Sequence, residues 1–224
     1  MNVFRAAIAA ALACSFARAD TLDQVLARMD AAVPQFKSMM ANTKRVQYTK
    51  LFDDSDVKSG TVRMRRDKNG PTAIWIFTGD DPETFFLSGH TGSRYLPKAG
   101  VMQVYDVGKS LSVMQESLLL GFGATSVDLR KIYDITLGGE ESVAGKRTTR
   151  IQFTPKSKDF KDLFTKIDLW IPDGESNPIQ EKIWTSAKGD YILVNYTDTK
   201  INPGLPDSEF QFKTPPGTKT IKAN

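Results

Sequence analysis

The chain has 224 residues, with 30 basic and 26 acidic side chains, one cysteine and one histidine. This length is enough for one sizeable core and fits a single β-rich domain. The near balance of charge leaves no basic footprint for nucleic acid, and a zinc site of histidine and cysteine ligands cannot be assembled from so few of them. The composition therefore excludes a nucleic-acid-binding protein and a cysteine-based zinc site.

The first nineteen residues predict a cleaved secretion signal. A short basic start precedes an apolar run of small residues from Ala6 to Phe16, and Ala17-Arg18-Ala19 has the small-x-small pattern that signal peptidase reads. The run is shorter than the about 20 residues that a membrane-spanning helix needs. Lipidation of Cys14 is a minor alternative, since Ala11 stands where a lipobox usually has a larger residue.

Cleavage before Asp20 leaves about 205 residues with 28 basic and 26 acidic side chains, a net charge of +2, and no cysteine. Residues 20–224 form the predicted mature domain. It has no disulfide, thiolate nucleophile or cysteine ligand, and it depends on its core for stability. We expect this domain to work outside the cytoplasm, without access to ATP.

A helix is predicted from Asp20 to Ala41, because apolar residues recur there at i, i+3, i+4 and i+7, and Pro34 is expected to kink or split it. The hydrophobic period then changes to two. Short strands are predicted at residues 45–49, 60–66, 73–78, 84–87, 93–96, 101–107, 134–137, 148–154, 166–171, 179–186, 191–198 and 210–212.

One segment interrupts this β pattern. Residues 110–122 predict a helix that Gly121 and Gly123 end, and residues 127–133 predict a second, short one. The apolar stripe of the first consists of Leu111, Met114, Leu118 and Phe122, with Leu119 and Leu120 outside it. About eleven strands, with one helix before them and one among them, predict a mainly antiparallel α+β fold in which helices cover the concave side of a curved sheet.

The sequence offers no catalytic constellation. His90 lies in a predicted turn between strands, without a nucleophile and an acid to complete a site. Asp54 and Asp56 begin like a calcium loop, but Lys58 takes the third ligand position. We therefore predict no catalytic residue, metal site or cofactor. A hydrolase that uses scattered carboxylates stays open as an alternative.

Several strands carry more apolar surface than one packed face requires. The runs 74–77, 85–87 and 191–194 are apolar on both faces, and Met64, Met102 and Met114 add adaptable side chains. The pattern alone favours a well-packed core under helices. The alternative is a sheet that lines a cavity closed by a mobile helix.

In their order along the chain, several segments resemble the periplasmic outer-membrane lipoprotein carriers of the LolA family. They are the secretion signal, the N-terminal amphipathic helix, Gly60-Thr61-Val62-Arg63-Met64-Arg65-Arg66, Ile74-Trp75-Ile76, Ser88-Gly89-His90-Thr91-Gly92-Ser93-Arg94-Tyr95, Leu120-Gly121-Phe122-Gly123 and Phe210-Gln211-Phe212-Lys213-Thr214-Pro215-Pro216-Gly217-Thr218. The likeness covers essentially the whole mature chain.

The resemblance implies an incomplete, half-open β-barrel with helices as a lid over an apolar cavity. It implies a monomeric periplasmic carrier, not an enzyme, that takes an acylated lipoprotein from an inner-membrane lipoprotein-releasing transporter to an outer-membrane acceptor. A lipoprotein-sensing regulatory domain on the same fold is the alternative. The cavity and lid residues that the resemblance to the carriers implies are Met64, Arg66, Trp75, Phe77, Met114, Leu118, Leu119 and Phe122.

Arg66 carries the most specific expectation. Val62, Met64 and Arg66 alternate along one strand and so share a face, which directs the guanidinium towards an apolar interior. A lone buried charge needs acceptors. In the resembling carriers the arginine at this position bonds the lid helix and holds it shut, which implies backbone carbonyls of residues 110–123 as its acceptors here. The alternative is a solvated Arg66 beside Asp67.

Overall fold

The computed structural model describes residues 20–67, 70–89, 91–106, 120–185 and 188–223. Within these ranges the helices are α1 (Leu22–Ala32), α2 (Ser126–Ile132) and α3 (Lys158–Lys161), with 3-10 turns at Val33–Gln35, Pro97–Ala99 and Asp207–Phe210. The predicted helix over residues 110–122 lies mostly outside the described residues, as do His90 and the predicted signal.

Helix α1 begins at a capping box. The Thr21 hydroxyl oxygen accepts a hydrogen bond from the Gln24 backbone N–H at 3.3 Å, and the Gln24 side-chain oxygen accepts one from the Thr21 N–H at 2.9 Å. The helix ends at Ala32, so the prediction of a helix to Ala41 is wrong beyond that point. Pro34 lacks the N–H that would continue the helix, and residues from Ser38 onward join the sheet instead.

The described residues form one sheet of twelve strands, compared with about eleven predicted. They are β1 (Ser38–Thr49), β2 (Asp54–Asp67), β3 (Gly70–Thr78), β4 (Glu83–Ser88), β5 (Thr91–Leu96), β6 (Val101–Asp106), β7 (Tyr133–Val143), β8 (Lys146–Pro155), β9 (Lys166–Pro172), β10 (Gln180–Trp184), β11 (Tyr191–Ile201) and β12 (Lys219–Ala223). Their order is β12-β6-β5-β4-β3-β2-β1-β11-β10-β9-β8-β7.

Neighbouring strands are antiparallel except β12, which lies parallel to β6 at one edge. The two edge strands, β12 and β7, are not paired with each other, so the sheet is open. With helices on its concave side, this arrangement confirms the predicted half-open barrel.

Two apolar clusters lie on the concave face. In the first, Val25, Leu26 and Met29 of α1 pack on strands β7 to β9, together with Leu120 and with Leu129 of α2. The second joins strands β1 to β3 to Phe36 and Phe122, and its members are Phe36, Met39, Ala41, Val62, Met64, Ala73 and Phe122. Helix α2 is tied to α1 because Asp30 accepts hydrogen bonds from the N–H and hydroxyl of Ser126 at 2.6 and 2.5 Å.

The C-terminal segment covers the convex face. Phe210 is buried beneath the guanidinium of Arg65, 4.4 Å from the ring centre, and Phe212 packs on Tyr95. Arg63 adds an ion pair with Glu209 at 2.6 Å. The predicted strand at 210–212 is therefore wrong, and the apolar outward side chains of β3 to β6 are explained by this covering.

Candidate ligand-binding cavity

A cavity of about 600 Å³ opens on the concave face, between the β3–β5 wall and the β10–β11 wall. The residues that line it are Val62, Met64, Trp75, Phe85, Phe86, Leu87, Gly92, Ser93, Arg94, Tyr105, Phe164, Ile167, Glu181, Ile183, Val194 and Tyr196. The lining is mainly apolar, and its charged side chains are those of Arg94 and Glu181.

Strand register places these side chains together. Val62 pairs with Trp75, Trp75 pairs with Phe85, and Phe85 pairs with Arg94, so each lies on the same face of its strand. On the opposite wall, Glu181 pairs with both Leu169 and Val194. The side-chain period of two thus turns single residues on separate strands into a continuous lining.

Arg94 marks the charged end of the cavity. Its Nε and Nη2 donate hydrogen bonds to Oε2 of Glu83 at 3.0 and 2.5 Å, while Arg45 and Lys58 approach Oε1 at 2.6 and 3.4 Å. Burial by itself would raise the pKa of Glu83, but the Arg94 hydrogen bond and the charges of Arg45, Arg94 and Lys58 outweigh it and lower the pKa below its usual value. Glu83 is fully buried and ionised.

Glu181 lies in a very different environment on the opposite wall. The Tyr196 hydroxyl donates a hydrogen bond to its Oε2 at 2.9 Å. Burial raises the pKa of Glu181 to about 7, although the Tyr196 hydrogen bond acts in the other direction. Burial, followed by the charge of Glu181, also raises the pKa of Tyr196 well above its usual value, so the tyrosine stays a neutral donor.

Residues 120–123 connect the two apolar clusters. Leu120 is buried against α1 and β9, and Phe122 is buried over β1 to β3, edge-on to Tyr196. Gly121 has a φ of 80°, and a Cβ there would lie 2.7 Å from Pro178, so only glycine fits. The chain is thus held closely against the concave face where it leaves the predicted lid segment.

Two side chains anchor the carbonyl groups of this connection. Asn177 Nδ2 donates to the Gly121 carbonyl at 2.9 Å, and Arg66 Nη2 donates to the Gly123 carbonyl. Gly123 is one of the residues 110–123 whose carbonyls were expected to accept from Arg66, so that part of the expectation is met. Arg66 itself is exposed, so the expectation of a guanidinium buried in the apolar interior is wrong. Arg66 lies near the end of β2, at the rim of the sheet. It lines a polar groove there together with Lys37 and Arg65.

Apart from Arg66, the predicted site residues fall into three groups. Met64 and Trp75 line the cavity. Phe77 and Phe122 are buried beside it, where Phe77 packs under the Arg45 guanidinium at 4.7 Å. Met114, Leu118 and Leu119 lie outside the described residues, and their place in a lid stays a prediction.

Sequence reasoning did not assign several lining residues of either wall to the cavity. Phe85, Leu87 and Val194 belong to runs that the sequence marked as apolar on both faces, so that signal was present without the register to use it. Glu181 had no such signal, because Gln180 and Lys182 beside it make an ordinary polar run.

Two structural features are absent from the part of the chain that the structure describes. No group of three or more His, Cys, Asp or Glu side chains there is arranged to hold a metal ion. None of the helices in those ranges has both the length and the apolarity needed to cross a membrane.

The fold and the cavity define a half-open barrel with a mainly apolar cavity on its concave face. A model of the family described as "Predicted periplasmic protein (DUF2092)" matches residues 23–224, and the chain belongs to that family. A protein of Legionella pneumophila (strain Corby) named outer-membrane lipoprotein carrier protein is 31% identical over 122 residues, which are 54% of this chain and 58% of that protein. The resemblance to lipoprotein carriers is confirmed.

Solved structures agree on the fold. An uncharacterized conserved protein from Thermus thermophilus has a TM-score of 0.51 at 10% identity, covering 90% of this chain and 98% of that one. MucB has a TM-score of 0.50 at 13% identity, covering 85% of this chain and 62% of that one. At these identities the similarity is one of fold alone.

Proposed function

We propose that this protein is a periplasmic carrier that shields the acyl chains of a lipoprotein in its cavity and moves it from the inner to the outer membrane. The observation that carries the proposal is the mainly apolar cavity of about 600 Å³ on an open, concave sheet. That volume lies within the roughly 300–1,000 Å³ of small-molecule sites. The name of the Legionella relative and the periplasmic description of the family support the same function.

Such a carrier solves a solvation problem. Each CH₂ group removed from water contributes about 0.8 kcal/mol, so three acyl chains in water would cost on the order of tens of kcal/mol. The proposal includes a cleaved signal at residues 1–19, a monomeric mature domain, an inner-membrane transporter that loads it and an outer-membrane acceptor that unloads it. It includes no catalytic step.

Unloading without ATP requires that binding be offset by a cost elsewhere, such as the opening of a lid. The hydrogen bond from Arg66 to the Gly123 carbonyl is suited to set that cost, because it joins the rim of the sheet to the chain that leaves residues 107–119. In this proposal Arg66 stabilises the closed lid and its loss shifts the balance towards the open state.

A matched pair of variants on β11 tests the cavity. Val194 and Leu193 are adjacent and half-buried, but Val194 lines the cavity and Leu193 points to the other face. Val194→Glu is expected to lower the affinity for a fluorescent palmitoyl probe at least about tenfold, which corresponds to about 1.4 kcal/mol. Leu193→Glu should leave it within about twofold.

Equal losses in the two variants, at matched thermal stability, would contradict an acyl site in this cavity. Cleavage of the probe by the wild-type protein would favour the secreted hydrolase. Retention of the probe in the presence of outer-membrane vesicles would favour a sensing domain over a carrier.

A further inference from the structure

The cavity holds one carboxyl group that shielding of hydrocarbon does not require. Glu181 lines it from β10, between Leu169 of β9 and Val194 of β11. Its Oε2 accepts the Tyr196 hydroxyl at 2.9 Å. Its Oε1 has no hydrogen-bond partner among the residues that the structure describes, and Glu181 makes no ion pair with them.

The groups around Glu181 leave its charge uncompensated. β9 contributes Leu169 and Ile167 to this face, and β11 contributes Val194 and Tyr196, of which only the tyrosine titrates. The charged side chains nearest in register and across the cavity, Arg45 of β1 and Arg94 of β5, are both held by Glu83. The charged neighbours Lys182 and Asp168 occupy the opposite face of the sheet.

An uncompensated carboxyl group in such a place favours its neutral form. Burial raises the pKa of Glu181 to about 7, so a neutral acid is well populated at and below neutral pH. The Tyr196 hydroxyl occupies Oε2 as a donor, which leaves the acid proton to reside on Oε1. Oε1–H is then a hydrogen-bond donor beside the apolar lining of the cavity.

We propose that Glu181 is a recognition site for the carbonyl oxygen of an ester or amide that joins an acyl chain to the rest of the ligand. The neutral carboxylic acid donates a hydrogen bond from Oε1 to that oxygen, and Tyr196 orients the acid by donating to Oε2. This inference rests on the proposed acyl-binding function and adds a ligand class to it. The cavity would then bind acyl groups at a fixed depth, with the linking group beside β10 and the chain along the apolar lining.

Loss of the proton removes the donor and places a negative charge opposite the carbonyl oxygen. Preference for a carbonyl-bearing ligand therefore falls as pH rises through neutrality. A glutamine at the same position keeps a donor, through its amide N–H, and cannot ionise. A leucine keeps the volume and removes the donor. These two substitutions separate hydrogen bonding from charge and from packing.

The test compares two ligands that differ only at the linkage: 1-palmitoylglycerol, an ester, and 1-hexadecylglycerol, an ether without the carbonyl. Competition with a fluorescent palmitoyl probe at pH 6 gives both affinities. A neutral hydrogen bond contributes about three- to tenfold in affinity, so the wild-type protein should prefer the ester by that factor. Glu181→Gln should keep the preference and Glu181→Leu should remove it.

At pH 8 the wild-type preference should fall towards unity, while that of Glu181→Gln stays. Equal ester and ether affinities in the wild-type protein at pH 6, or an unchanged preference in a folded Glu181→Leu variant, would overturn this inference and leave the carrier function standing. If Glu181→Leu does not fold, the pH dependence of the preference in wild type and Glu181→Gln decides alone. Failure of both ligands to bind the wild-type protein would instead overturn the proposed function.

Discussion

The two halves of the concave face differ in what covers them. On strands β7 to β9, α1 lays Val25, Leu26 and Met29 over the sheet, and Ile151 and Leu169 are fully buried. On strands β3 to β5 and β10 to β11, inward side chains such as Trp75 and Ile183 are only half-buried and line an open cavity. The same alternation of apolar residues thus makes a core where helix α1 covers it and lines a cavity where the sheet extends beyond that helix.

The largest expected loss of stability follows from removing the Glu83 carboxylate at the charged end of the cavity half. Glu83→Ala leaves Arg45, Lys58 and Arg94 close together without their shared carboxylate, and removing one partner of a buried ion pair costs about 3–5 kcal/mol. Urea unfolding at pH 7 measures the loss. A change below about 1 kcal/mol would show that the cluster acts as a set of surface ion pairs.

The same cluster predicts acid sensitivity. Because the pKa of Glu83 is lowered in the folded protein, folding favours its ionised form. Its contribution is present above the ordinary pKa of 4.5 and is lost as pH falls through the lower folded value. Wild-type stability should therefore fall between pH 5 and pH 3 more steeply than that of Glu83→Ala. Parallel pH profiles would contradict this.

A matched pair of substitutions sharpens the comparison of the two halves. Ile151→Ala in the covered half removes a fully buried side chain and should cost about 3 kcal/mol, because the packed site cannot collapse around the gap. Ile183→Ala in the cavity half should cost about 1 kcal/mol and should weaken palmitoyl-probe binding. Urea titration and probe affinity, measured on both variants, give the comparison, and equal stability losses would count against it.

Glu181 gives a smaller effect with the opposite dependence on pH. Its folded pKa of about 7 exceeds the ordinary 4.5, so the folded state binds more protons between these values. Its contribution to stability is present below pH 4.5 and is lost as pH rises through 7. In Glu181→Gln the free energy of unfolding should depend less on pH between 5 and 8, as measured by urea titration. An unchanged dependence of the free energy of unfolding on pH would show that a group other than Glu181 titrates in this range.

The smallest expected effect on stability concerns Arg66. Arg66→Leu should cost less than about 1 kcal/mol, because the guanidinium is exposed. It should keep ligand loading and impair transfer to acceptor vesicles, because the Gly123 anchor is lost. Arg63→Leu is the control, since Arg63 pairs with Glu209 on the convex face. Equal transfer rates for the two variants would show that Arg66 is only a surface charge and does not act on the lid.

Periodicity predicted the strands well, because alternation is a local property of the sequence. It failed at residues 33–41, where Val33, Phe36 and Met40 keep a helical spacing but Pro34 ends the helix and β1 pairs with β2 and β11. The β12 strand was missed because it forms only through its parallel partner β6.

The site was predictable in part for the same reason. Met64 could be assigned to the cavity face because it alternates with Arg63 and Arg65, whereas Trp75 lies in a run that is apolar on both faces and was expected there only from the resemblance. Glu181 and Arg94 could not, because a charged side chain in a strand looks solvated until the register places it between apolar neighbours. Long-range pairing, and not local pattern, determines which polar groups enter the cavity.

Native mass spectrometry of the mature protein purified from the periplasm under non-denaturing conditions tests the central claim most directly. The account predicts a population heavier than the polypeptide by the mass of an acylated lipoprotein or its acylated N-terminal fragment. This population should be present in Leu193→Glu and absent in Val194→Glu. A wild-type protein that carries no acyl group, purified from cells in which its lipoprotein supply is intact, would contradict the account.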